Sequence, residues 1–182
     1  MITPRQIFLQ HLAQTSDSPL ALEIVKAEGC IMTDVNGKDF LDLISGIGVS
    51  NIGHRHPKVV EAIKKQVDEY MHLMVYGEYV QSPQVMLARR LADIYPASID
   101  CTYFVNSGAE AIEGAMKLAK RFTSRTELVS FRNAYHGSTH GALSLMGDEF
   151  FKQAYRPLLP DIRHIDFNST AALKEITERT AA

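Results

Sequence analysis

The sequence has only two cysteines and no long run of like charges. Nineteen Lys and Arg residues against 21 Asp and Glu residues leave a formal net charge of -2 over 182 residues. Such a balance provides no basic stripe that could neutralise nucleic-acid phosphates or anionic lipid. We therefore expect neither nucleic acid nor a membrane among the partners.

Long apolar stretches are also missing. Residues 41–52 are interrupted by Asp, Ser and Gly well before the roughly 18 residues that a membrane span requires. The N-terminus lacks the continuous apolar segment and the cleavage site of a signal peptide. These absences predict a cytoplasmic protein.

The two cysteines, Cys30 and Cys101, have no second Cys or His at metal-binding spacing. Isolated cysteines in such a protein are usually reduced thiols. We therefore predict two buried, unpaired thiols, with no disulfide and no metal site.

The N-terminal segment predicts one helix and a small antiparallel sheet. Thr3 and Pro4 are typical of an N-cap followed by proline in the first helical turn, and the helix should end near Gln14. Two apolar runs precede Asn36-Gly37 and a third follows. An Asn-Gly pair between apolar runs indicates a hairpin, because both residues tolerate positive φ.

From Pro57 onward, helical and strand-like patterns alternate, which favours a parallel sheet with helical crossovers. The predicted helices follow Pro57 and Ser82 and cover Gly108 to Thr123 and Ser169 to Glu178; the predicted strands are Thr102 to Val105, Leu128 to Phe131 and Ile162 to Ile165. The fold class is therefore α/β. Residues 1–56 form an N-terminal segment, and residues 57–182 form the first part of a larger domain with an incomplete, mostly parallel sheet.

The first candidate site is the turn through Ser107 and Gly108, where a predicted strand leads into a helix. A helix N-terminus presents unpaired N–H groups and a partial positive charge, so it binds phosphate when no bulky side chain blocks the approach. Small residues at this position also serve simply as a cap and a tight turn, and the motif alone leaves that alternative open. Farther along, Glu113 and Lys117 predict an i, i+4 surface pair.

The second candidate site is the loop of residues 131–139, which follows the next predicted strand. Ligands of open parallel sheets bind beyond the carboxyl ends of the strands, so this loop and the Ser107 turn should face one crevice. Tyr135 could cover a planar cofactor or pack beneath its own loop. His136 could carry a proton or make a structural hydrogen bond.

A third segment is rich in glycine: Gly46, Gly48 and Gly53 precede the His-Arg-His-Pro of residues 54–57. A packed strand tolerates little glycine. We expect a loop near a ligand or a partner subunit.

Taken together, the three segments resemble the class III pyridoxal-phosphate aminotransferases. Residues 34–57 look like the opening of that family, residues 106–111 with Lys117 like its phosphate-binding turn and helix, and residues 135–139 like its ring-stacking loop. The similarity runs from about residue 20 to the end and favours the ornithine, acetylornithine and 4-aminobutyrate branch. It implies the fold of PLP-dependent transferases of fold type I.

The resemblance also implies roles for individual residues. Ser107, Gly108 and Ala109 would hold the phosphate of pyridoxal 5'-phosphate, Tyr135 would stack on its ring, and His136 would lie beside it. Acetylornithine and 4-aminobutyrate members commonly carry an arginine where this chain has Ser138. Since a hydroxyl cannot form the bidentate pair that arginine gives a carboxylate, those two substrates are put in doubt.

The family's chemistry also requires a lysine that forms a Schiff base and an aspartate at the pyridine nitrogen. None of the candidates matches that lysine motif: Lys117 and Lys120 lie on a solvent-facing helix flank, Lys152 lies in a polar connection, and Lys174 lies near the end. The resemblance therefore implies the N-terminal part of a transaminase that moves an amino group from an amino acid or ω-amino donor to a keto acid. As an isolated chain we expect it to be inactive and self-associating, in a family whose sites resemble dimer-interface sites. The alternatives are a non-catalytic phosphate-binding module and a folded remnant that self-associates.

Overall fold

The computed structural model describes residues 2–74 and 77–182. The chain forms two compact units, Met1–Gln81 and Ser82–Ala182, which we call the first and second units. The domain division at residue 56 stays a prediction.

The first unit begins with α1 (Pro4–His11), which starts where the sequence predicts and ends three residues before Gln14. Thr3 and Gln6 form a reciprocal cap. The Gln6 amide donates to Thr3 Oγ1 at 3.2 Å, and the Thr3 amide donates to Gln6 Oε1 at 2.8 Å. These bonds satisfy two backbone donors that the first helical turn leaves without an intrahelical acceptor.

The small antiparallel sheet is confirmed, with strands β1 (Ile24–Glu28), β2 (Ile31–Asp34) and β3 (Asp39–Leu41) in that order. The predicted hairpin joins β2 to β3. Asp34 Oδ1 accepts the amides of Asn36 and Lys38, each at 2.9 Å. Of the Asn-Gly pair only Gly37 uses the left-handed region, with φ +78.

The glycine-rich segment folds around the Asp42 carboxylate. Its Oδ1 accepts the amides of Ile44 at 3.0 Å and Ser45 at 2.8 Å, and its Oδ2 lies 2.7 Å from His54 Nε2. The bond from the Ser45 amide, followed by the bond to His54, holds the pKa of Asp42 below its usual value. The single turn α2 (Ser45–Gly48) has positive φ at every residue, and α3 (Pro57–Glu69) follows.

The second unit alternates helices with a parallel pair of strands. Its elements are α4 (Ser82–Ile94), α5 (Gly108–Thr123), β4 (Leu128–Phe131), α6 (His140–Leu145), α7 (Glu149–Lys152), a 3-10 helix (Gln153–Tyr155), β5 (Ile162–Ile165) and a second 3-10 helix (Thr170–Glu175). β4 and β5 pair in parallel, from Leu128 opposite Ile162 to Phe131 opposite Ile165. The α/β class, the bounds of α5 and these two strands are confirmed.

Two predicted elements of this unit are wrong. Thr102 to Val105 is not a strand, because within the described residues its backbone finds no neighbouring strand to pair with. Ser169 to Glu178 is not a full α-helix: only Thr170–Glu175 is helical, as a 3-10 helix whose cap residue Ser169 makes no side-chain cap bond.

The core of the second unit lies where α5 meets the sheet and α6. Met116, Leu128 and Leu145 are buried, with Ile112, Ile162 and Ala181 packed against them. Other apolar side chains lack such cover, notably Leu118 and Phe122 on α5, which are 69% and 87% exposed.

The final residues run beside β4 on the edge opposite β5. The Ala181 amide donates to the Glu127 carbonyl at 2.7 Å, and the Val129 amide donates to the Ala182 carbonyl at 2.9 Å. The buried Glu127 carboxylate accepts from Thr180 Oγ1 at 2.6 Å and from Arg163 Nη2 at 2.7 Å. The Thr180 bond first, and then the Arg163 charge, lower the pKa of Glu127 against the opposing effect of burial.

Cys30 and Cys101 are unpaired but exposed, so the prediction that they are buried is wrong: neither residue belongs to the packed apolar cluster around Met116, Leu128 and Leu145. Over residues 2–74 and 77–182, none of the helices combines the length and apolar character that a bilayer crossing requires. The cytoplasmic location stays a prediction.

Candidate functional site

The N-terminus of α5 is capped by Ser107. Its Oγ accepts the Glu110 amide at 3.1 Å, and its carbonyl accepts the Ala111 amide at 3.1 Å. Within the described residues, the amides of Gly108 and Ala109 have no acceptor. The helix therefore presents two free donors at its positive end.

Nothing obstructs the approach to these donors at Gly108. A Cβ added there would meet no atom within 4 Å. Glu110, the one acidic residue of the first turn, turns its carboxylate to the backbone of the preceding segment, where Oε2 accepts the Asn106 amide at 2.6 Å. The Glu110 carboxylate is thus hydrogen-bonded to the Asn106 amide.

Tyr135 lies on the loop after β4 and is 70% exposed. Its hydroxyl lies 3.4 Å from Ser138 Oγ. The alternative in which Tyr135 packs beneath its own loop therefore does not describe this structure, since most of the side chain is open to a ligand.

His136 is half-buried. Its Nε2 is buried and lacks a hydrogen-bond partner in the described parts of the chain. A buried polar atom without a partner costs free energy, so this nitrogen is one of the groups that a bound molecule could satisfy.

The two predicted motifs are brought together by Gly137 and Ala109. Gly137 has φ +125, and a Cβ built on it would fall 3.0 Å from the Cα of Ala109. The loop that carries Tyr135 and His136 therefore crosses the first turn of α5 at van der Waals contact. The two motifs are therefore neighbours in space, and the expectation that they face one crevice stays a prediction.

Glu113 is a residue whose role the sequence did not indicate. The predicted pair with Lys117 is wrong: Glu113 Oε1 instead accepts from Thr139 Oγ1 at 2.6 Å and from the amides of Gly141 at 3.0 Å and Ala142 at 3.2 Å. Thr139, the cap residue of α6, makes no side-chain cap bond to its own helix. No local pattern in the sequence indicates its contact with Glu113, because the two residues are 26 positions apart.

A cleft of about 400 Å³ opens beside the Ser107 turn. It is lined by Pro83, Gln84, Leu87, Phe104, Val105 and Asn106. Asn106, one of these lining residues, directly precedes Ser107 in the sequence.

Lys152 does not lie in a polar connection, as the sequence suggested. It ends α7 with its side chain only 5% exposed and Nζ 3.2 Å from Glu149 Oε1. The nearby His164 has its pKa lowered, first by burial and then by the Lys152 charge. Among the described residues, no group of three or more His, Cys, Asp and Glu is arranged to hold a metal ion.

Comparison with known proteins gives this geometry a context. The sequence profile of the aminotransferase class-III family matches residues 12–182. An acetylornithine aminotransferase from Archaeoglobus fulgidus is 40% identical over 174 residues, which is 95% of this chain and 45% of that protein. The chain thus spans less than half the length of this relative and of the acetylornithine aminotransferase of Methanocaldococcus jannaschii.

Solved structures agree. The adenosylmethionine-8-amino-7-oxononanoate aminotransferase of Methanocaldococcus jannaschii superposes with a TM-score of 0.88 at 27% identity, covering 97% of this chain and 45% of that one. An amine transaminase from an uncultivated Pseudomonas species, in its PLP-bound form, gives a TM-score of 0.74 at 28% identity. The match covers 86% of this chain and 37% of the transaminase chain. The predicted relation to PLP-dependent transferases is confirmed.

Proposed function

The chain belongs to the class-III aminotransferases, whose cofactor is pyridoxal 5'-phosphate. From that membership we propose that Ser107, Gly108 and Ala109 bind the phosphate of this cofactor and that Tyr135 stacks on its ring. The observation that carries the proposal is the pair of free amides at Gly108 and Ala109, with open space at Gly108. A dianionic phosphate is the ligand that two such amides at a helix N-terminus favour.

The loop residues complete the proposed site. Tyr135 offers an exposed ring one residue before His136, and Gly137, the next residue, lies against Ala109 in the first turn of α5. We include His136 among the cofactor-binding residues because its buried Nε2 lacks a partner. Stacking on an aromatic face contributes roughly 0.5–1.5 kcal/mol beyond area burial.

When bound, pyridoxal 5'-phosphate supplies a ring that takes up electrons released at the amino donor. The proposed reaction of the whole protein is transfer of an amino group from an amino acid or ω-amino donor to a keto acid. The 182 residues provide groups that bind and orient the cofactor. The family's chemistry requires a lysine and an aspartate whose motifs are not matched in these 182 residues. We therefore propose that this chain alone does not catalyse transamination.

Ser138 bears on which amino donor the protein would use. The relative from Archaeoglobus fulgidus is named an acetylornithine aminotransferase, whereas Ser138 places a neutral hydroxyl where an arginine would hold a carboxylate. We therefore propose no single amino donor.

Calorimetric titration with pyridoxamine 5'-phosphate tests the site, since this probe carries the phosphate and the ring but no aldehyde that could react with surface lysines. Gly108→Val should abolish binding by filling the open approach. Ala115→Val, which places the same side chain on an exposed position of the same helix, should bind like the parent. Equal binding by Gly108→Val would place the site elsewhere.

Inorganic phosphate is the second probe. If the parent chain binds it as tightly as pyridoxamine 5'-phosphate, the ring contributes nothing, and the non-catalytic phosphate-binding module becomes the better description. A clear preference for the ring-bearing probe supports the proposed cofactor site.

We also propose that the chain self-associates. Leu118 and Phe122 lie one turn apart on α5 and are largely exposed, as are many other large apolar side chains. Exposed apolar patches of this kind are typical of surfaces that another protein surface covers.

A further inference from the structure

One carboxylate oxygen joins α5 to the start of α6. Glu113 Oε1 accepts three hydrogen bonds, from the Thr139 hydroxyl and from the amides of Gly141 and Ala142. Gly141 has no side chain in the way: a Cβ there would collide with the Glu113 carboxylate. Charge-assisted bonds of this kind are stronger than neutral ones.

The start of α6 needs an acceptor from outside the helix. Gly141 to Leu145 are all buried, and Thr139 makes no side-chain cap bond to the helix. The first amides of a helix have no intrahelical acceptor, and burying them without one is costly. Glu113 therefore serves as a cap that a different helix provides.

The same face of α5 makes a second contact with this loop. Ala109 and Glu113 are four residues apart, so they lie one above the other on the helix. Ala109 meets Gly137, and Glu113 meets Thr139 and the residues after it. The loop is thus held at two points, directly after the residues Tyr135 and His136.

We propose that Glu113 is a positioning residue for the cofactor: by capping α6 it fixes the loop that carries Tyr135 beside the first turn of α5. This inference rests on the proposed function, which supplies the identity of the ligand. Glu113 does not touch the cofactor in this proposal. Its effect reaches the ring through Tyr135 and leaves the phosphate donors of Gly108 and Ala109 in place.

A double-mutant cycle with two probes tests the proposal. Glu113→Ala should weaken pyridoxamine 5'-phosphate binding about tenfold, equivalent to about 1.4 kcal/mol, and change inorganic phosphate binding much less. In the Tyr135→Ala background, Glu113→Ala should have little further effect, because the two residues act through one contact. Arg121→Ala, two turns along the same helix and exposed, should match the parent. Fully additive losses, or equal losses for both probes, would overturn the positioning role.

Hydrogen–deuterium exchange of residues 137–142 without ligand gives an independent measurement. Glu113→Ala should speed exchange of the Gly141 and Ala142 amides, whereas Glu113→Gln, which keeps an acceptor oxygen, should lie between Glu113→Ala and the parent. Glu113→Gln also carries the test if Glu113→Ala fails to fold. If the parent binds neither probe, the proposed function is wrong. Unchanged exchange in the Glu113 variants would instead overturn the role of Glu113 itself.

Discussion

Gly137 and Ala109 approach each other so closely that no side chain fits between them: a Cβ on Gly137 would lie 2.6 Å from the Cβ of Ala109. Gly137 also has φ +125, a backbone conformation that L side chains rarely adopt. Steric exclusion and backbone conformation therefore require glycine at the same position.

Gly137→Ala should lower the free energy of unfolding by about 1–3 kcal/mol, since it adds both strain and a clash with the α5 backbone. Thermal denaturation followed by circular dichroism measures the change. Gly108→Ala is the matched control, because its Cβ meets nothing and the residue is already helical. A Gly137→Ala protein as stable as the Gly108→Ala protein would show that the loop does not contact α5 in this way.

The stability of the second unit should depend on pH through Glu127. Its pKa is lowered in the folded chain, so its contribution is present above the ordinary glutamate pKa and is lost as pH falls through the lowered value. Glu127→Gln should therefore be less stable than the parent at neutral pH, and the difference should shrink under acid conditions.

Urea denaturation at a series of pH values measures this dependence. Glu178→Gln, at an exposed glutamate, is the control and should follow the parent. A constant gap between Glu127→Gln and the parent down to strongly acidic pH would contradict the role assigned to the Thr180 and Arg163 contacts.

Light scattering at micromolar concentration should show the chain associating. Replacing Leu118 and Phe122 with glutamate should reduce the association, because it places charges on the exposed apolar surface that these two side chains form on α5. Lys117→Glu changes charge on the same helix without removing apolar surface and should have a smaller effect. A parent chain that remains monomeric would contradict self-association.

Residues 1–182 should show no transaminase turnover with pyridoxal 5'-phosphate and a panel of α-amino and ω-amino donors. Binding groups at Ser107 to Ala109 and at Tyr135 neither move a proton nor hold the pyridine nitrogen charged. The assay follows keto-acid consumption. Turnover that disappears on changing Lys117, Lys120, Lys152 or Lys174 to alanine would mean that the catalytic lysine lies in this chain.

Local signals carried most of what the sequence predicted correctly. Ser107 as a cap fixes the start of α5, and Asn36-Gly37 fixes the hairpin, because each depends on its own neighbours in sequence. Thr102 to Val105 has the composition of a strand, yet a strand exists only when another backbone pairs with it.

The residues of the candidate site also differ in whether a local motif indicates them. Motifs in the sequence indicate Gly108 and Tyr135 as candidates, whereas Glu113 looks like a surface residue in the sequence and contacts Thr139 only in the folded chain. Lys152 was similarly misplaced, since its burial depends on packing distant in sequence. Contacts between remote residues are not visible in local periodicity.

The two sheets differ in how far apart their paired strands lie along the chain. We expect the sheet with the shorter separation to form first. β2 and β3 are joined by a tight turn, while α6 and α7 lie between β4 and β5. Closing the longer loop costs more chain entropy, and non-local pairing slows folding. In pulse-labelled refolding we expect the amides of Met32 and Phe40 to become protected before those of Leu128 and Arg132, which donate to the carbonyls of Asp161 and Ile165. The glutamate cap and the contact of Gly137 with Ala109 would then form among the late events, so the proposed cofactor site would be assembled late in folding.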